Sequence, residues 1–281
     1  MAVKKYKPTT PGRRQMTGYS FEELTVSKPL KALVKGKKSV AGRNSGGSIT
    51  IRHRGGGVAR KYRQLDSKRV KNMGIAGRVE TIEYDPNRTA YIMLVIYKNG
   101  DKKYHLAPHG IKEGDEIMTA PKAKIKVGNR THIENIPVGY EIYNLELMLN
   151  RGGQAVKTAG SSAKIIGFDG DFAQIQLPSK EIRLLNKHCY ASIGRVSNID
   201  HSLIKVGKAG RKRKMGRRPQ VRGKAMNPCD HPHGGGEGGC PIGLKHPKTP
   251  WGLPALGKKT RRRKNTNYLI VRNRKGKMVI K

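Results

Sequence analysis

The clearest apolar pattern lies in the middle of the chain. Residues 89–97 (TAYIMLVIY) form an apolar run rich in β-branched and aromatic side chains, which favours a strand. Asn99-Gly100 follows this run and precedes Lys102–Leu106, an arrangement typical of a two-residue hairpin turn. Asp85–Arg88 contains a proline at its second position and predicts a turn before the run. These residues together predict a β-hairpin.

A second group of strands is predicted farther along the chain. Residues 173–177 alternate between apolar and polar side chains, and Glu181 and Arg183 alternate with Ile182 and Leu184, which predicts two half-buried strands. Residues 140–149 fit either a helix or a strand, and their β-rich start favours the strand. Many short strands separated by regular turns favour small β-barrels, and two barrels fit the length.

Proline, lysine and glycine interrupt the pattern at residues 121–130, so we expect the boundary between the barrels there. The expected domains are a basic N-terminal extension at 1–60, a first barrel at 61–124, a second barrel at 125–200, and a basic, glycine-rich C-terminal extension at 201–281.

The positive charge is concentrated at the two ends of the chain. Lysine plus arginine is 59 and aspartate plus glutamate is 19, a net charge of +40. Residues 1–80 hold +16 of this charge, residues 81–200 only +3, and residues 201–281 +21. Only 35% of the residues are hydrophobic, so the ends cannot bury enough apolar surface to fold alone. We therefore expect a folded middle with two polycationic arms whose partner is a polyanion.

Other features limit the cellular context. No apolar run approaches the roughly 18 residues of a membrane helix, and residues 1–8 lack the apolar segment of a signal peptide. Three cysteines, at positions 189, 229 and 240, are too few for a disulfide framework. We expect a reducing, cytoplasmic location without membrane contact. An organelle is the alternative.

Each arm carries a pattern suited to phosphate binding. Arg52–Gly57 places three glycines beside cations, so the backbone can approach a phosphate closely, and arginine grips phosphate oxygens in pairs. Residues 208–222 and 258–264 are dense in cations and contain no acidic residue. A solvated linker is the alternative for the first arm, and a nuclear-localisation signal for the second. Residues 225–239 are rich in glycine and proline, so a partner must order them or they stay disordered.

This last segment, preceded by Gly216–Gly223, closely resembles the signature of the bacterial type of the L-two family of large-subunit ribosomal proteins. Further motifs similar to the family's occur in the same order: Gly42–Asn44, Arg52–Gly57, Tyr62-Arg63, Ile82–Arg88, Gly207–Gly210 and Thr249–Gly252. The chain departs from the family where Val58-Ala59 replace His-Lys, where Ser67 replaces an aromatic residue, and where Cys229 replaces valine.

The resemblance implies a mainly β fold, in which a barrel of the oligonucleotide-binding (OB) type is followed by an SH3-like barrel, with long irregular basic extensions. It also implies a structural constituent of the large subunit that binds rRNA and supports subunit association, tRNA binding and the peptidyl-transferase region, without being an enzyme alone. The implied partners are large-subunit rRNA, the small subunit at the intersubunit face and neighbouring ribosomal proteins. We expect no homo-oligomer.

We expect the RNA contacts to come from cations, glycines, histidines and aromatic side chains within these motifs. They are Arg43, Arg52, His53, Arg54, Gly55, Gly56, Gly57, Arg60, Lys61, Tyr62, Arg63, Lys68, Arg69, Arg88, Lys208, Arg211, Arg213, Arg217, Arg218, Arg222, Asn227, His231, His233, Trp251, Lys258, Arg261 and Arg262. Trp251 and Tyr62 either stack on a base or pack against the protein.

Two sharper hypotheses concern the glycine-rich segment. His231 is a candidate general base, but no nucleophile or orienting carboxylate completes a site, so ordering of the loop or packing on RNA is favoured. The donors suited to zinc have a spacing unlike a paired-cysteine knuckle, and free, buried thiols are favoured. These donors are Cys229, His231, His233, Cys240 and His246. We expect no cofactor apart from Mg²⁺ recruited by rRNA, which Asp230 or Glu237 would touch through water.

Two other classes of protein remain as alternatives. A duplex-DNA compactor would share the basic composition, but no recognition helix or dimer zipper is visible. An acyl transferase using His231 would have to turn over substrate without RNA.

Overall fold

The protein is described from a computed structural model over residues 3–237 and 241–279. The chain divides into two compact units. The first comprises Met1–Lys38, Ala59–Lys208 and Thr266–Lys281, and the second comprises Ser39–Val58 and Ala209–Asn265. The strands are β1 Val3–Lys5, β2 Thr17–Tyr19, β3 Val34–Lys35, β4 Tyr62–Arg63, β5 Gly77–Glu83, β6 Ile92–Tyr97, β7 Lys102–Leu106, β8 Glu116–Ile117, β9 Arg130–His132, β10 Glu141–Tyr143, β11 Ala163–Asp169, β12 Phe172–Gln176, β13 Ile182–Asn186, β14 Tyr190–Ile193 and β15 Ile270–Arg272.

Helices are short throughout the described residues. The α-helices are α1 Pro11–Arg14 and α2 Ala209–Lys214, and the 3-10 turns are Lys31–Leu33, Ile133–Asn135, Ile199–Leu203, Gly223–Ala225 and Asn267–Leu269. Within the described ranges, no helix has the length and apolar character required to cross a membrane.

The first large sheet has four antiparallel strands in the order β7-β6-β5-β8. β6 and β7 form the hairpin predicted from Asn99-Gly100. Gly100 adopts a φ of 85°, and its amide donates to the Tyr97 carbonyl over 2.9 Å. The buried side chains of this sheet include Val79, Met93 and Val95, none of which is exposed to solvent. Local turn chemistry and an apolar strand therefore predicted this hairpin correctly.

The second large sheet has seven antiparallel strands in the order β15-β13-β12-β11-β10-β14-β9. Its fully buried core includes Ile142, Ile165 and Ile175. The strand interpretation of residues 140–149 is confirmed at β10. The last strand, β15, pairs with β13 and buries Ile270, so the chain returns to this sheet after the basic run at 258–264.

The pairing of β13 with β12 decides which of its side chains enter the core. Ala173 pairs with Leu185 and Ile175 pairs with Arg183, and residues directly opposite each other point to the same face of a sheet. Leu185 therefore joins the core, with 2% of its surface exposed, while Ile182 and Leu184 lie on the other face and are half-buried. Register between strands, rather than alternation within one strand, decides this face.

A buried polar cluster lies where the two large sheets meet within the first unit. The Arg130 guanidinium donates to the Asn144 carbonyl over 2.7 Å and to Glu146 Oε1 over 3.0 Å. Arg69 is also buried and donates to the Gly128 carbonyl over 3.2 Å. Burial, followed by repulsion from Arg69, lowers the pKa of Arg130 to about 10, and the Glu146 carboxylate opposes this shift. The guanidinium stays charged near neutral pH, so the contact is a buried ion pair.

The second unit contains no apolar core among its described residues. His231 is the one residue there that is buried. The unit holds 19 lysines and arginines against two acidic residues. Backbone hydrogen bonds and glycine turns give it local order, but hydrophobic burial does not stabilise it.

Candidate RNA interface

The second unit is formed by two segments that are far apart in sequence. Arg54 and Arg217 form an isolated antiparallel bridge. Beside it, the Gly55 amide donates to the Gly216 carbonyl over 3.1 Å, and the Val58 amide donates to the Lys214 carbonyl over 2.9 Å. These bonds bring the glycine-rich part of the first arm against the cationic run of the second.

Glycine allows close backbone approach at two places, Gly57 between the two segments and Gly42 within the first. A Cβ atom on Gly57 would lie 3.0 Å from the Gly216 Cα, which is tighter than ordinary van der Waals contact. Gly42 has a φ of 75°, and a Cβ there would lie 2.2 Å from the Ile51 carbonyl oxygen. Gly57 of the Arg52–Gly57 motif thus lets the two segments pack closely, and the contact of this motif with phosphate stays a prediction.

A groove of about 610 Å³ runs along the paired segments. Most of the polar groups that line it are cationic or are backbone groups, and no carboxylate is among them. The groove is lined by Ile51, Arg52, His53, Arg54, Ala209, Gly210, Lys212, Arg213, Arg217, Arg218, Pro219 and Gln220. Its size and charge suit a nucleic-acid phosphate backbone.

Trp251 provides an aromatic surface in the same unit. Its side chain is 72% exposed, and the Arg52 guanidinium lies over the ring at 4.9 Å from the centroid. Arginine stacked on tryptophan is a cation–π contact. The exposure shows that packing on the flanking prolines leaves most of the ring accessible, so it is available to stack on a base.

His231 orders the glycine-rich loop. Its Nδ1 accepts a hydrogen bond from the His233 amide over 3.0 Å, and its carbonyl accepts one from the Gly234 amide over 2.8 Å. The ring also packs so closely on Gly223 that a Cβ there would lie 2.6 Å from it. At 8% exposure, this imidazole has little access to a substrate. The geometry supports the structural role over the catalytic one.

The histidines and cysteine of the zinc hypothesis do not form a cluster in the described residues. His233 Nε2 accepts a hydrogen bond from the Lys248 amide over 2.8 Å. Cys229 is a free thiol, but it is exposed, so the expectation that it is buried was wrong. No three of Cys229, His231, His233 and His246 bring their ligand atoms together. Cys240 lies outside the described residues.

The remaining predicted contacts of the second unit lie on its surface. The basic run at 258–264 has no regular secondary structure, and its side chains are exposed. Among the other predicted residues, exposed side chains occur at Arg43, Arg222, Asn227, Lys258, Arg261 and Arg262, while Arg211 is half-buried.

Two family models match most of the chain. Residues 30–119 match the model for Ribosomal Proteins L2, RNA binding N-terminal domain, and residues 126–252 match the model for Ribosomal Proteins L2, C-terminal domain. The chain belongs to the ribosomal protein L2 family.

Membership of the L2 family confirms the predicted fold and the general function. The fold is mainly β, with an OB-like N-terminal domain and an SH3-like C-terminal domain. The protein is a structural constituent of the large ribosomal subunit and binds its rRNA. It therefore works with other ribosomal components in translation.

In this L2-family chain, burial removes two arginines from the predicted RNA contacts. Arg63 and Arg69 are 8% and 1% exposed. Arg63 donates to the Lys61 carbonyl over 3.1 Å, and Arg69 is enclosed beside the second sheet. Burial therefore leaves both guanidinium groups with little access to an RNA phosphate. Their positions in basic motifs did not reveal that the fold encloses them.

The other predicted contacts of the first unit remain accessible to different degrees. Lys61, Tyr62, Lys68 and Lys208 are exposed, and Arg60 is half-buried with a 2.7 Å hydrogen bond to the Pro86 carbonyl. Arg88 is also half-buried, and its Nε lies 2.6 Å from Asp85 Oδ2. This ion pair holds the turn before β6, so Arg88 has a structural role in addition to its predicted one.

Sequence analysis did not identify an exposed aromatic cluster in the first unit. Phe21 lies 5.3 Å from the Tyr19 ring and 5.5 Å from the Tyr84 ring, measured between centroids. Phe21 and Tyr84 are both partly exposed. Aromatic rings of this kind stack on unpaired bases. Spacing gives no signal for the cluster, because Tyr84 is far from the other two in sequence.

Proposed function

We propose that this chain binds large-subunit rRNA mainly through the groove of the second unit. The proposal rests on two features of the unit: it has 19 cationic residues against two acidic ones, and among its described residues only His231 is buried. A unit of this charge repels itself, and no hydrophobic core compensates for that repulsion. Binding to phosphates neutralises the charge and supplies the missing stabilisation.

The chemistry of the groove supports RNA as the polyanion. Arginine forks bind phosphate oxygens in pairs, and the exposed face of Trp251 suits an unstacked base, which folded RNA offers in its loops and bulges. The longest α-helix among the described residues, Ala209–Lys214, has six residues. That is too short for a recognition helix that reads the major groove of DNA.

The test measures the salt dependence of binding by the full chain. Arg52, Arg213 and Arg217 line the groove and are exposed. Their simultaneous replacement by glutamine should reduce the slope of log K against log salt by about 2 to 3, because each lost phosphate contact removes about 0.7 to 0.9. The assay is filter binding to large-subunit rRNA between 50 mM and 300 mM salt.

A matched triple variant controls for net charge. Lys112, Lys122 and Lys180 are exposed in the first unit, and their replacement by glutamine removes the same three charges. We expect this variant to keep most of the wild-type slope. Equal loss in the two variants would show that binding follows net charge alone and would overturn the assignment to the groove. If duplex DNA displaced the bound rRNA as effectively as unlabelled rRNA does, the DNA-compactor alternative would be favoured.

We also propose that the chain supports subunit association, tRNA binding and organisation of the peptidyl-transferase region, in contact with the small subunit. Family membership and the ordered loop around His231 support this proposal. Reconstituted large subunits carrying Asn227→Ala should sediment normally by themselves. They should associate less with small subunits or form peptide bonds more slowly. Unchanged association and unchanged peptide-bond formation would contradict it.

Three further expectations complete the proposal. The chain acts as a single copy in the cytoplasmic ribosome, because its cationic arms repel a second copy. It needs no cofactor for RNA binding apart from Mg²⁺ that accompanies rRNA. Asp230 and the neighbouring Glu237 are exposed and offer carboxylates for such an ion through water.

A further inference from the structure

Three side chains that suit a transition metal converge in the SH3-like barrel, outside the residues assigned to RNA binding. They are His132, Glu134 and His188, and the ligand atoms of all three lie within 4.8 Å of one another. Two imidazoles and one carboxylate form a donor set that zinc binds at sites with three protein ligands.

The backbone brings these residues together although they are far apart in sequence. His132 ends β9 and pairs with Tyr190 of β14. Just beyond this pair, the Ile133 amide donates to the Cys189 carbonyl over 3.0 Å, and the Glu134 amide donates to the Lys187 carbonyl over 3.1 Å. The 3-10 turn that carries Glu134 therefore lies directly against the turn that carries His188.

The two distances from the Glu134 carboxylate oxygen fit a tetrahedral ion. Glu134 Oε1 lies 3.4 Å from His132 Nδ1 and 3.3 Å from His188 Nδ1. Zinc bonds to nitrogen and oxygen are about 2.0–2.1 Å long, so two ligands at the tetrahedral angle are roughly 3.3–3.4 Å apart. The carboxylate oxygen thus has the required separation from both imidazole nitrogens.

The surroundings hold two of the ligands and leave one side open. The His132 ring packs edge-on against Tyr190 with a centroid separation of 4.4 Å, and its side chain is 19% exposed. The His188 amide donates to Asn186 Oδ1 over 2.9 Å, which fixes its turn. The His188 side chain is 50% exposed, so it can adjust by a small rotation. Solvent can reach a fourth position.

The neighbouring lysine does not occupy the site. Lys187 precedes His188, but its Nζ lies 2.8 Å from Asp171 Oδ1. Its ammonium group is therefore paired with another carboxylate, and Glu134 faces the two imidazoles.

We propose that His132 Nδ1, Glu134 Oε1 and His188 Nδ1 bind one zinc ion, with water as the fourth ligand. The ion would join the end of β9 to the turn before β14. Because a metal-bound imidazole must be neutral, binding competes with protons and weakens at acid pH. The site is independent of the proposed RNA groove, so either proposal can fail without the other.

The test uses the full chain after treatment with a chelator, and Co²⁺ as a visible probe that Zn²⁺ displaces. We expect one equivalent of Co²⁺ to give the intense visible absorption of a four-coordinate ion. His188→Ala should weaken Zn²⁺ binding by about tenfold or more, because it removes one of three protein ligands. Since this side chain is half exposed, the variant should fold, and circular dichroism checks that it does.

Two control variants separate this site from other donors. His109 lies 3.9 Å from Glu23, also in the first unit, and His109→Ala should leave Zn²⁺ affinity unchanged. Cys229→Ser should also leave it unchanged, because that thiol belongs to the glycine-rich segment. Stoichiometric binding that survives in His132→Ala/His188→Ala would place the ion elsewhere and overturn the proposal. Absence of stoichiometric binding by the wild type would show that the three side chains form only an ion-paired cluster.

Discussion

Replacement of Glu146 by glutamine tests how much the buried ion pair contributes to the first unit. Arg130 and Glu146 have side chains that are 0% and 2% exposed. Glutamine keeps the shape of the side chain, but its single oxygen can accept either from the Tyr190 amide, as Glu146 Oε2 does over 3.2 Å, or from the Arg130 guanidinium. The substitution therefore removes the negative charge and one accepted hydrogen bond while changing the packing little.

The expected loss of stability is large. Removing one partner of a buried ion pair costs about 3–5 kcal/mol, because the remaining charge stays buried without compensation. The neighbouring Arg69 increases this penalty, since its repulsion already lowers the pKa of Arg130. With a urea dependence of about 2 kcal/mol per molar, the midpoint of unfolding should fall by roughly 1.5–2.5 M.

Far-ultraviolet circular dichroism in urea is the suitable assay. Tryptophan fluorescence would report on the second unit, because Trp251 is the only tryptophan and is 72% exposed. Glu113→Gln, at an exposed position, is the control and should change the midpoint little. Arg130→Met/Glu146→Leu should be more stable than Glu146→Gln, because it leaves no buried charge from the pair. A loss below about 1 kcal/mol for Glu146→Gln would refute this reasoning.

Three further predictions concern single side chains. Burial holds the pKa of His105 well below its usual value, so below about pH 6.5 the unfolded chain binds a proton that the folded chain does not. The free energy of unfolding should fall there by up to about 1.4 kcal/mol per pH unit. Urea titrations at pH 6.5 and pH 5 should show a smaller fall for His105→Gln than for the wild type. An equal fall in the two proteins would contradict this prediction. Burial raises the pKa of the Cys189 thiol to about 11. In a variant with serine at positions 229 and 240, this thiol should therefore react with a thiol reagent at pH 8 only after unfolding. Rapid labelling of the folded chain would show instead that the thiol is accessible. His231→Ala should increase protease cleavage within residues 226–235 while leaving the urea midpoint of the first unit unchanged, and an unchanged cleavage rate would rule out the structural role assigned to this ring.

The sequence was sufficient to predict those elements whose structure depends on residues close together in the chain. A tight turn that includes Asn99-Gly100, closed by a hydrogen bond from the Gly100 amide to the Tyr97 carbonyl, joins β6 to β7, and an apolar β-branched run fills β6. The boundary between the barrels, expected where proline, lysine and glycine interrupt the strand pattern at residues 121–130, stays a prediction. Such features depend on backbone propensities that act over a few residues.

The charge distribution and the order of the motifs were likewise sufficient to predict the general function. Two ends with net charges of +16 and +21 require a polyanion. The order of the arginine- and glycine-rich motifs pointed to the ribosomal L2 family, which the matches at residues 30–119 and 126–252 establish.

Only the tertiary structure decided which cations face solvent and which side chains meet. Arg69 occurs in a basic stretch, as Lys68 does, yet the fold encloses Arg69 and leaves Lys68 exposed. His132 and His188 lie 56 positions apart in the numbering, and pairing of β9 with β14 brings them to one carboxylate. Burial and side-chain convergence depend on the register between distant segments, which no local pattern of apolar and polar residues encodes.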